Sequence, residues 1–149
     1  MPLRCQIITQ ERKLFDEDVD IVIAPGSEGE MGILPNHAPI IAALNFGELI
    51  VRQGEMSEAF AIGGGVLQVA HNTVVVLADS AESADEIDIA RAEQARQQAE
   101  RSMREGVVED EAQLAALEAA VRRASLRLKV AYKHRPEHRR KGPGAMDFE

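Results

Sequence analysis

Residues 59–78 read AFAIGGGVLQVAHNTVVVLA. Three short apolar runs lie in this stretch, separated by Gly63-Gly64-Gly65 and by the Asn72-Thr73 pair. Short apolar runs between glycine or asparagine turns are typical of β-strands. The stretch therefore predicts three closely spaced strands, Ala59–Ile62, Gly65–Val69 and Val74–Ala78. The three glycines are interpreted as a bulge, or as a place where another backbone comes close.

The same pattern extends toward the N terminus. Further strands are predicted at Cys5–Thr9, Val19–Ala24 and Glu48–Arg52, and Pro25-Gly26 and Gly54 are turn residues that end two of them. No segment before residue 85 combines helical length with helical periodicity, which argues against the alternating strands and helices of a parallel sheet. We therefore expect residues 1–84 to form an antiparallel sandwich or barrel around one small core.

Composition changes near residue 85 of the 149-residue chain. Residues 1–84 contain 4 basic and 12 acidic side chains, whereas residues 85–149 contain 13 of each, so the net charge of −8 comes entirely from the first part. Most of the glycines precede this point, and the second part is rich in alanine. Two parts with different secondary structure are the simplest interpretation.

The second part is predicted to be a helical hairpin. Asp85 or Asp88 is expected to cap a first helix that runs to Arg104, and Gly106 is expected to end it. Asp110 is expected to cap a second helix. A short loop between two amphipathic helices favours an antiparallel pair. The predicted contact faces are Ala92, Ala95, Ala99 and Met103 on the first helix, and Leu114, Leu117, Val121, Ala124, Leu128 and Ala131 on the second.

Several classes of function are excluded or disfavoured. The single cysteine, Cys5, excludes a disulfide framework and a cysteine-based zinc site. Aromatic residues make up 3% of the chain, too few for base-stacking platforms, so nucleic acid is not expected as a partner. No apolar run approaches the roughly 18 residues that insertion into a membrane needs. No serine lies in a nucleophile elbow, and Pro136 separates His134 from His138, so neither an enzyme nor a metal site is expected.

Three motifs occur in a fixed order. They are Gly29–Pro39 (GEMGILPNHAP), the segment from Ala61-Ile62-Gly63-Gly64-Gly65 to Leu77-Ala78-Asp79-Ser80-Ala81-Glu82, and Ile87–Ala92 (IDIARA). In this order and spacing the chain resembles the ε subunit of bacterial F-type ATP synthase, over about residues 3–133. The resemblance implies an α+β fold that is mostly β, with an N-terminal antiparallel β-sandwich of about ten strands followed by an antiparallel two-helix hairpin. The implied domains are 1–84, 85–133 and a basic tail at 134–149.

The resemblance also implies a non-catalytic role. Such a subunit belongs to the central stalk of a proton-translocating ATP synthase. As part of that complex it is a peripheral protein at the cytoplasmic face of the bacterial membrane. Its sandwich binds the γ subunit and touches the ring of c subunits, and the triple glycine is expected to face γ or the helical domain. Its hairpin can lie folded on the sandwich or extend along γ toward the α/β head, and the extended form hinders ATP hydrolysis. The competing interpretation is a small β-barrel binding protein whose helical arm contacts an acidic protein.

A first candidate contact lies in the Gly29–Pro39 segment. This segment lacks the Gly-Lys-Ser/Thr ending of a phosphate loop, and no helix signal follows it closely. The resemblance implies that Glu30, Gly32 and His37 contact the c ring or γ. A purely structural turn, marked by its glycines, prolines and asparagine, is the alternative.

A second candidate is a regulatory ATP site. No cofactor is required, but in several members of the family ATP, with or without Mg, binds the folded hairpin. The matching positions here are Glu82, Asp88, Arg91, Ala92, Arg123 and Arg127. Gln98 stands where the ATP-binding members carry a basic residue. The alternative is that Asp88 simply caps the helix and pairs with Arg91.

A third candidate is the basic face of the second helix. It consists of Arg122, Arg123, Arg127, Lys129 and Lys133. The resemblance implies that this face meets an acidic segment of the β subunit when the hairpin extends. A solvated helix face is the alternative, and nucleic-acid binding is disfavoured because the rest of the chain is acidic.

Overall fold

The computed structural model describes residues 2–106 and 109–134. Contacts divide the chain into two compact units, 1–83 and 84–149. The proposed basic tail, apart from His134, lies outside the described residues. No helix within the described ranges has the length and apolar character needed to cross a membrane.

The described part of the first unit, residues 2–83, forms eight strands. These are β1 (Leu3–Ile8), β2 (Lys13–Val19), β3 (Ile21–Gly26), β4 (Gly29–Ile33), β5 (Ile40–Gln53), β6 (Met56–Ala70), β7 (Thr73–Ala78) and β8 (Ala81–Ser83). They follow the order β2-β1-β7-β6-β5-β3-β4, and β8 pairs with β6. All pairs are antiparallel except β1 with β7. The resemblance implied about ten strands, and the described residues contain eight. Strand β6 runs unbroken through two of the strands that the sequence patterns predicted, whereas β2, β4 and β8 were not predicted from those patterns.

Strands β5 and β6 are long because each takes part in two layers. In one layer, residues 40–44 of β5 pair with residues 65–69 of β6, and β7 and β1 continue the sheet. In the other layer, residues 46–53 of β5 pair with residues 56–63 of β6, and β8 and β3 lie beside them. Side chains from both layers form a single buried cluster, which includes Ile7, Val22, Phe60 and Leu67. The predicted sandwich around one core is therefore present.

Along both β5 and β6, the side of the strand that faces this core changes partway through the strand. In β6 the core residues are Phe60 and Ile62 before the glycines, and Leu67 and Val69 after them. Successive strand residues point to opposite faces, so the five-residue step from Ile62 to Leu67 requires an irregularity between them. It lies at the triple glycine, where Gly64 and Gly65 have φ of 92° and 136°.

The triple glycine is a site of close backbone approach, as its composition predicts. Gly63 N–H donates to the carbonyl oxygen of Ser80 (2.8 Å), and Asp79 N–H donates to that of Gly64 (3.0 Å). A Cβ atom at Gly63 would collide with the Ser80 hydroxyl, and one at Gly65 would collide with the Leu77 carbonyl oxygen. The segment that approaches the glycines is therefore the β7–β8 turn of the same unit.

The described residues of the second unit form a short 3-10 turn (Ala84–Glu86) and two helices, α1 (Ile89–Arg104) and α2 (Glu111–His134). Of the two expected caps, Asp88 begins α1, where its carboxylate accepts from Arg91 N–H (3.1 Å). Asp110 caps α2 by accepting from Gln113 N–H (2.7 Å). Gly106 follows the end of α1 with a φ of 69°, the left-handed conformation that commonly terminates helices.

Helices α1 and α2 pack against each other as an antiparallel pair. Ala92, Ala99, Ala124, Leu128 and Ala131 are buried, as predicted. Ala95 and Leu114 are exposed, so their placement in the contact face was wrong. Viewed down the helix axis, with about 100° per residue, an arc of about 60° contains positions 92, 96, 99 and 103. The predicted face, with 95 in place of 96, needs a wider arc of about 80°. The half-buried Arg96 therefore takes the position expected for Ala95.

Candidate functional site

Two of the expected rotor-contact residues lie on the edge strand β4. Glu30 is paired with Pro25 of β3, and Gly32 is paired with Ile23. Both are exposed, whereas Ile33 on the opposite side of the strand is fully buried in the core. Glu30 and Gly32 thus share the outward face of this edge, since residues two apart in a strand point the same way.

The third expected contact residue, His37, ends a tight turn after β4. His37 N–H donates to the carbonyl oxygen of Leu34 (3.2 Å), and Asn36 has a φ of 69°. A proline in the second position and a positive φ in the third are the marks of a type II turn. His37 Nδ1 lies 2.7 Å from the carbonyl oxygen of Ala38 and donates to it. The imidazole is thereby tied to its own loop.

A neighbouring hairpin turn holds this loop. His71 and Asn72 join β6 to β7 with φ of 52° and 59°, as in a type I′ turn. Asn36 N–H donates to the side-chain oxygen of Asn72 (2.5 Å), and Asn72 Nδ2 donates to the side-chain oxygen of Asn36 (3.3 Å). From the sequence, both asparagines were predicted only as turn residues. Their pairing was not predicted, because 36 residues separate them.

An apolar row crosses the outer face of the layer that contains β1, β7 and residues 65–69 of β6. Ala43, Val66, Leu77 and Ile8 lie directly opposite one another on β5, β6, β7 and β1. Val66 and Leu77 are 41% and 51% exposed, and Ile41, two residues from Ala43, is 76% exposed. This row was not predicted from the sequence, although the alternation of Val66 and Leu77 with the core residues Leu67 and Val76 was a signal for it.

The expected ATP-site residues lie on three elements. Asp88 and Arg91 share the first turn of α1, where the Asp88 carboxylate bonds the backbone N–H of Arg91. Ala92 is fully buried in the helix pair. Arg123 and Arg127 lie one turn apart on α2, the first exposed and the second half-buried. Glu82 belongs to β8 of the other unit, opposite Ala61.

A concavity of about 500 Å³ lies on α1. Among the described residues its lining comes from α1 alone: Arg91, Gln94, Ala95, Gln97, Gln98 and Arg101. Two guanidinium groups and three amides form a donor-rich surface that suits an anionic ligand. Gln98, the position that departs from the basic pattern, thus lies beside two arginines.

The basic residues of α2 fall into two strips. Arg122, Lys129 and Lys133 lie within an arc of about 40°, whereas Arg123 and Arg127 lie about 120° further around the helix. All three members of the first strip are exposed. The helical geometry therefore separates the two arginines of the expected ATP site from the other cations.

Tyr132 and Cys5 are among the described groups whose pKa is clearly shifted. The phenol of Tyr132 on α2 donates to Glu93 Oε1 of α1 (2.8 Å), and this hydrogen bond raises the pKa of Tyr132. Burial, with the charge of Asp16, raises the pKa of the Cys5 thiol on β1 to about 12. Within residues 2–106 and 109–134, no three His, Cys, Asp or Glu side chains converge in a way that could hold a metal ion.

Comparisons with known proteins agree across both units. The β-sandwich domain model of the ATP synthase delta/epsilon chain matches residues 2–84, and the long α-helix domain model of the same chain matches residues 85–131. An ATP synthase epsilon chain of Dehalococcoides mccartyi is 53% identical over 134 residues, covering 89% of this chain and 94% of that relative. One from Chloroflexus aggregans is 44% identical, covering 93% and 99%.

Solved structures share the fold at lower identity. A chain of the Euglena gracilis mitochondrial ATP synthase superimposes with a TM-score of 0.72 at 24% identity, covering 89% of this chain and 82% of that one. A chain of the Tetrahymena thermophila mitochondrial ATP synthase, in a structure of its central stalk and c ring, gives 0.62 at 16% identity, covering 88% and 97%. The chain belongs to the family of ATP synthase delta/epsilon chains, the non-catalytic subunit type that its motifs predicted.

Proposed function

We propose that this chain is a central-stalk rotor subunit of a proton-translocating F-type ATP synthase. In this role the sandwich couples γ to the c ring, and the helical hairpin hinders ATP hydrolysis. The proposal rests on one observation above all: the epsilon-chain relatives match both units, at 44–53% identity over about nine-tenths of the chain. The complex would hold the chain at the cytoplasmic face of the bacterial membrane, without insertion of its own.

The apolar row Ala43–Val66–Leu77–Ile8, with Ile41, is the surface that suits γ. Exposed apolar side chains that lie side by side on a rigid sheet favour a protein contact over solvent. Replacing Val66 and Leu77 with serine should release the chain from γ, because both side chains lose apolar area that the contact would bury. Met56 is 75% exposed but lies in the β5–β6 hairpin, outside the row, so Met56→Ser is the matched control.

The outward face of β4 and the Leu34–His37 turn suit the c ring. Glu30 and Gly32 lie on an exposed sheet edge, and His37 is fixed by hydrogen bonds to its own loop. Rigid scaffolds with projecting loops are common places for such contacts. Glu30→Ala with His37→Ala should lower the number of protons pumped per ATP hydrolysed. Unchanged pumping with full assembly would assign this loop a structural role only.

The hairpin suits the role of a movable brake. Alanines form much of its interface, so little apolar area holds α1 to α2 and the free energy that separates folded and extended forms is small. The exposed strip Arg122, Lys129 and Lys133 suits an acidic segment of the β subunit. Because these charges are exposed, the inhibition should weaken as salt rises.

ATP is proposed as a regulatory ligand of the folded hairpin. The donors that support it are the guanidinium groups of Arg91, Arg123 and Arg127, since arginine pairs well with phosphate. A ligand shifts the balance of two forms only by its difference in affinity, and about 100-fold tighter binding to one form supplies about 2.7 kcal/mol. ATP would therefore tune the brake without locking it.

The deciding experiment measures ATP hydrolysis by a purified αβγ head. The full-length chain is compared with a chain cut after Ala84, at low and at high salt. We expect inhibition by the full-length chain alone, weaker at high salt. If neither form inhibits while both bind γ, the chain is a coupling element and the brake is excluded. If neither binds γ, the rotor role itself is wrong.

A separate titration tests the ATP proposal. Calorimetry of the full chain with Mg-ATP should give binding heat that Arg91→Gln and Arg127→Gln reduce. Arg104→Gln is the control, since Arg104 is exposed at the far end of α1 and is not one of the proposed donors. No heat at millimolar ATP, with the brake still active, would remove the ligand and leave the mechanical role.

A further inference from the structure

We infer that Asn72 is a positioning residue, which holds the turn Leu34–His37 in the shape that its partner contact needs. The inference rests on the proposed role of this turn at the c ring. It concerns a residue on a different hairpin, 36 positions away from Asn36 in the sequence.

The two asparagines bond each other in both directions. Asn72 accepts from the backbone N–H of Asn36 (2.5 Å) and donates to its side-chain oxygen (3.3 Å). The next residue after Asn36 is His37, whose own N–H closes the turn on Leu34 (3.2 Å). Fixing Asn36 therefore fixes the direction in which His37 leaves the turn.

Asn72 is itself anchored to the sheet. Its carbonyl oxygen accepts from the backbone N–H of Arg4 (2.8 Å), where β1 begins. The guanidinium of Arg4 is held by the carboxylates of Asp16 (2.8 Å) and Asp18 (3.3 Å) on β2. A continuous series of bonds thus runs from β2 through β1 and the His71–Asn72 turn to the loop that carries His37.

The choice of asparagine supports a role beyond the turns themselves. Asn36 and Asn72 both have positive φ, at 69° and 59°. Glycine adopts this conformation without steric cost, so glycine would serve either turn as well or better. What glycine lacks is the side-chain amide that makes the pair. The pair is partly exposed, so its main effect is on loop order and not on global stability.

Variants of the two asparagines can remove two, one or none of these hydrogen bonds while the turns are kept. Asn72→Gly keeps the turn and removes both bonds, whereas Asn36→Gly keeps its backbone N–H and loses only the bond that its side chain accepts. Asn36→Asp keeps both bonds, because its carboxylate still accepts from Asn72 Nδ2. The expected order of effect is therefore Asn72→Gly, then Asn36→Gly, with Asn36→Asp equal to the unaltered chain.

The first measurement is amide hydrogen exchange in the full chain. We expect the amides of Asn36 and His37 to exchange about tenfold faster in Asn72→Gly, since the loss of two hydrogen bonds is on this scale. The midpoint of denaturant unfolding should not change. The conservative variant Asn36→Asp should keep the slow exchange of the unaltered chain. Equal exchange in all variants would overturn the inference without touching the proposed function.

The second measurement is ATP-driven proton pumping per ATP hydrolysed, in the assembled complex with the chain present at full occupancy. Asn72→Gly should lower this ratio in the same direction as His37→Ala, and Asn36→Asp should preserve it. If His37→Ala lowers the ratio and Asn72→Gly does not, positioning is refuted while the contact stands. If neither variant changes it, the proposed contact is wrong and the inference falls with it.

Discussion

Tyr132 near the end of α2 donates a 2.8 Å hydrogen bond to Glu93 Oε1 in the first turns of α1. The bond joins residues 39 positions apart and ties the open end of the hairpin, opposite the α1–α2 loop. Because the phenol stays protonated with a raised pKa, this tie is present at neutral pH and is lost as pH rises through that pKa. The bond therefore joins the two helices at the end where no loop connects them.

Tyr132→Phe should loosen the hairpin without removing the ring. An exposed bond to a carboxylate stabilises by about 0.5–1 kcal/mol, so the balance between closed and open hairpin should shift about two- to fivefold. Hydrogen exchange of the α1 amides measures this shift. In the assembled complex, the same variant should inhibit ATP hydrolysis more strongly.

Two further variants serve as controls for this bond. Glu93→Ala should loosen the hairpin as much as Tyr132→Phe does. The double variant should loosen it no further than either single variant, since all three remove the same bond. Glu118→Ala alters an exposed carboxylate on α2 and should change nothing. Additive effects of the two single variants would show that the bond does not tie the helices.

Ala92 and Ala95 should respond oppositely to enlargement. Ala92 is fully buried between the helices, so Ala92→Leu forces them apart and should cost about 1–3 kcal/mol. Ala95 is exposed in the α1 concavity, so Ala95→Leu should change the stability of the helices by less than about 0.5 kcal/mol. Thermal unfolding followed by circular dichroism measures both. Equal costs would mean that the contact face follows the sequence pattern and not the structure.

Gly63→Ala should destabilise the sandwich, and a second change should repair it. The new methyl group would meet the Ser80 hydroxyl, while the Ser80 Cβ lies at an ordinary contact distance of 3.5 Å. We expect Gly63→Ala to cost about 1–3 kcal/mol in urea unfolding and Gly63→Ala with Ser80→Ala to recover most of it. Ser80→Ala should not rescue Gly65→Ala, because a Cβ atom at Gly65 would collide with the backbone of Leu77.

Cys5 should make the sandwich sensitive to alkali. Its thiol pKa is raised from an ordinary value of 9.0 to about 12, chiefly by burial. The raised pKa means that the folded state keeps a proton that the unfolded state loses. Stability from this group is complete below pH 9.0 and is lost as pH rises toward about 12, at up to about 1.4 kcal/mol per pH unit.

Urea unfolding between pH 8 and 11 measures this effect. Cys5→Ala should be less stable at neutral pH because it leaves a cavity, yet its stability should fall less steeply above pH 9.0. Parallel slopes for the two proteins would show that another group controls the alkaline response.

Local patterns determined much of this protein. Short apolar runs between turn residues predicted β1, β3, β7 and parts of β5 and β6, but not β2, β4 or β8. Asp88, Asp110 and Gly106 marked the helix ends, because caps act over three or four residues. The order of the three motifs sufficed to predict the family, which the comparisons confirm. These are properties that a chain expresses through near neighbours.

Tertiary structure alone decided the rest. It showed that β6 is one continuous strand passing between two layers, that Arg96 and not Ala95 enters the helix pair, and that Asn36 bonds Asn72. Each depends on contacts between residues far apart in the chain, or on rotations of a few tens of degrees about a helix. Periodicity does not resolve such rotations, and pairing across 36 residues leaves no local pattern.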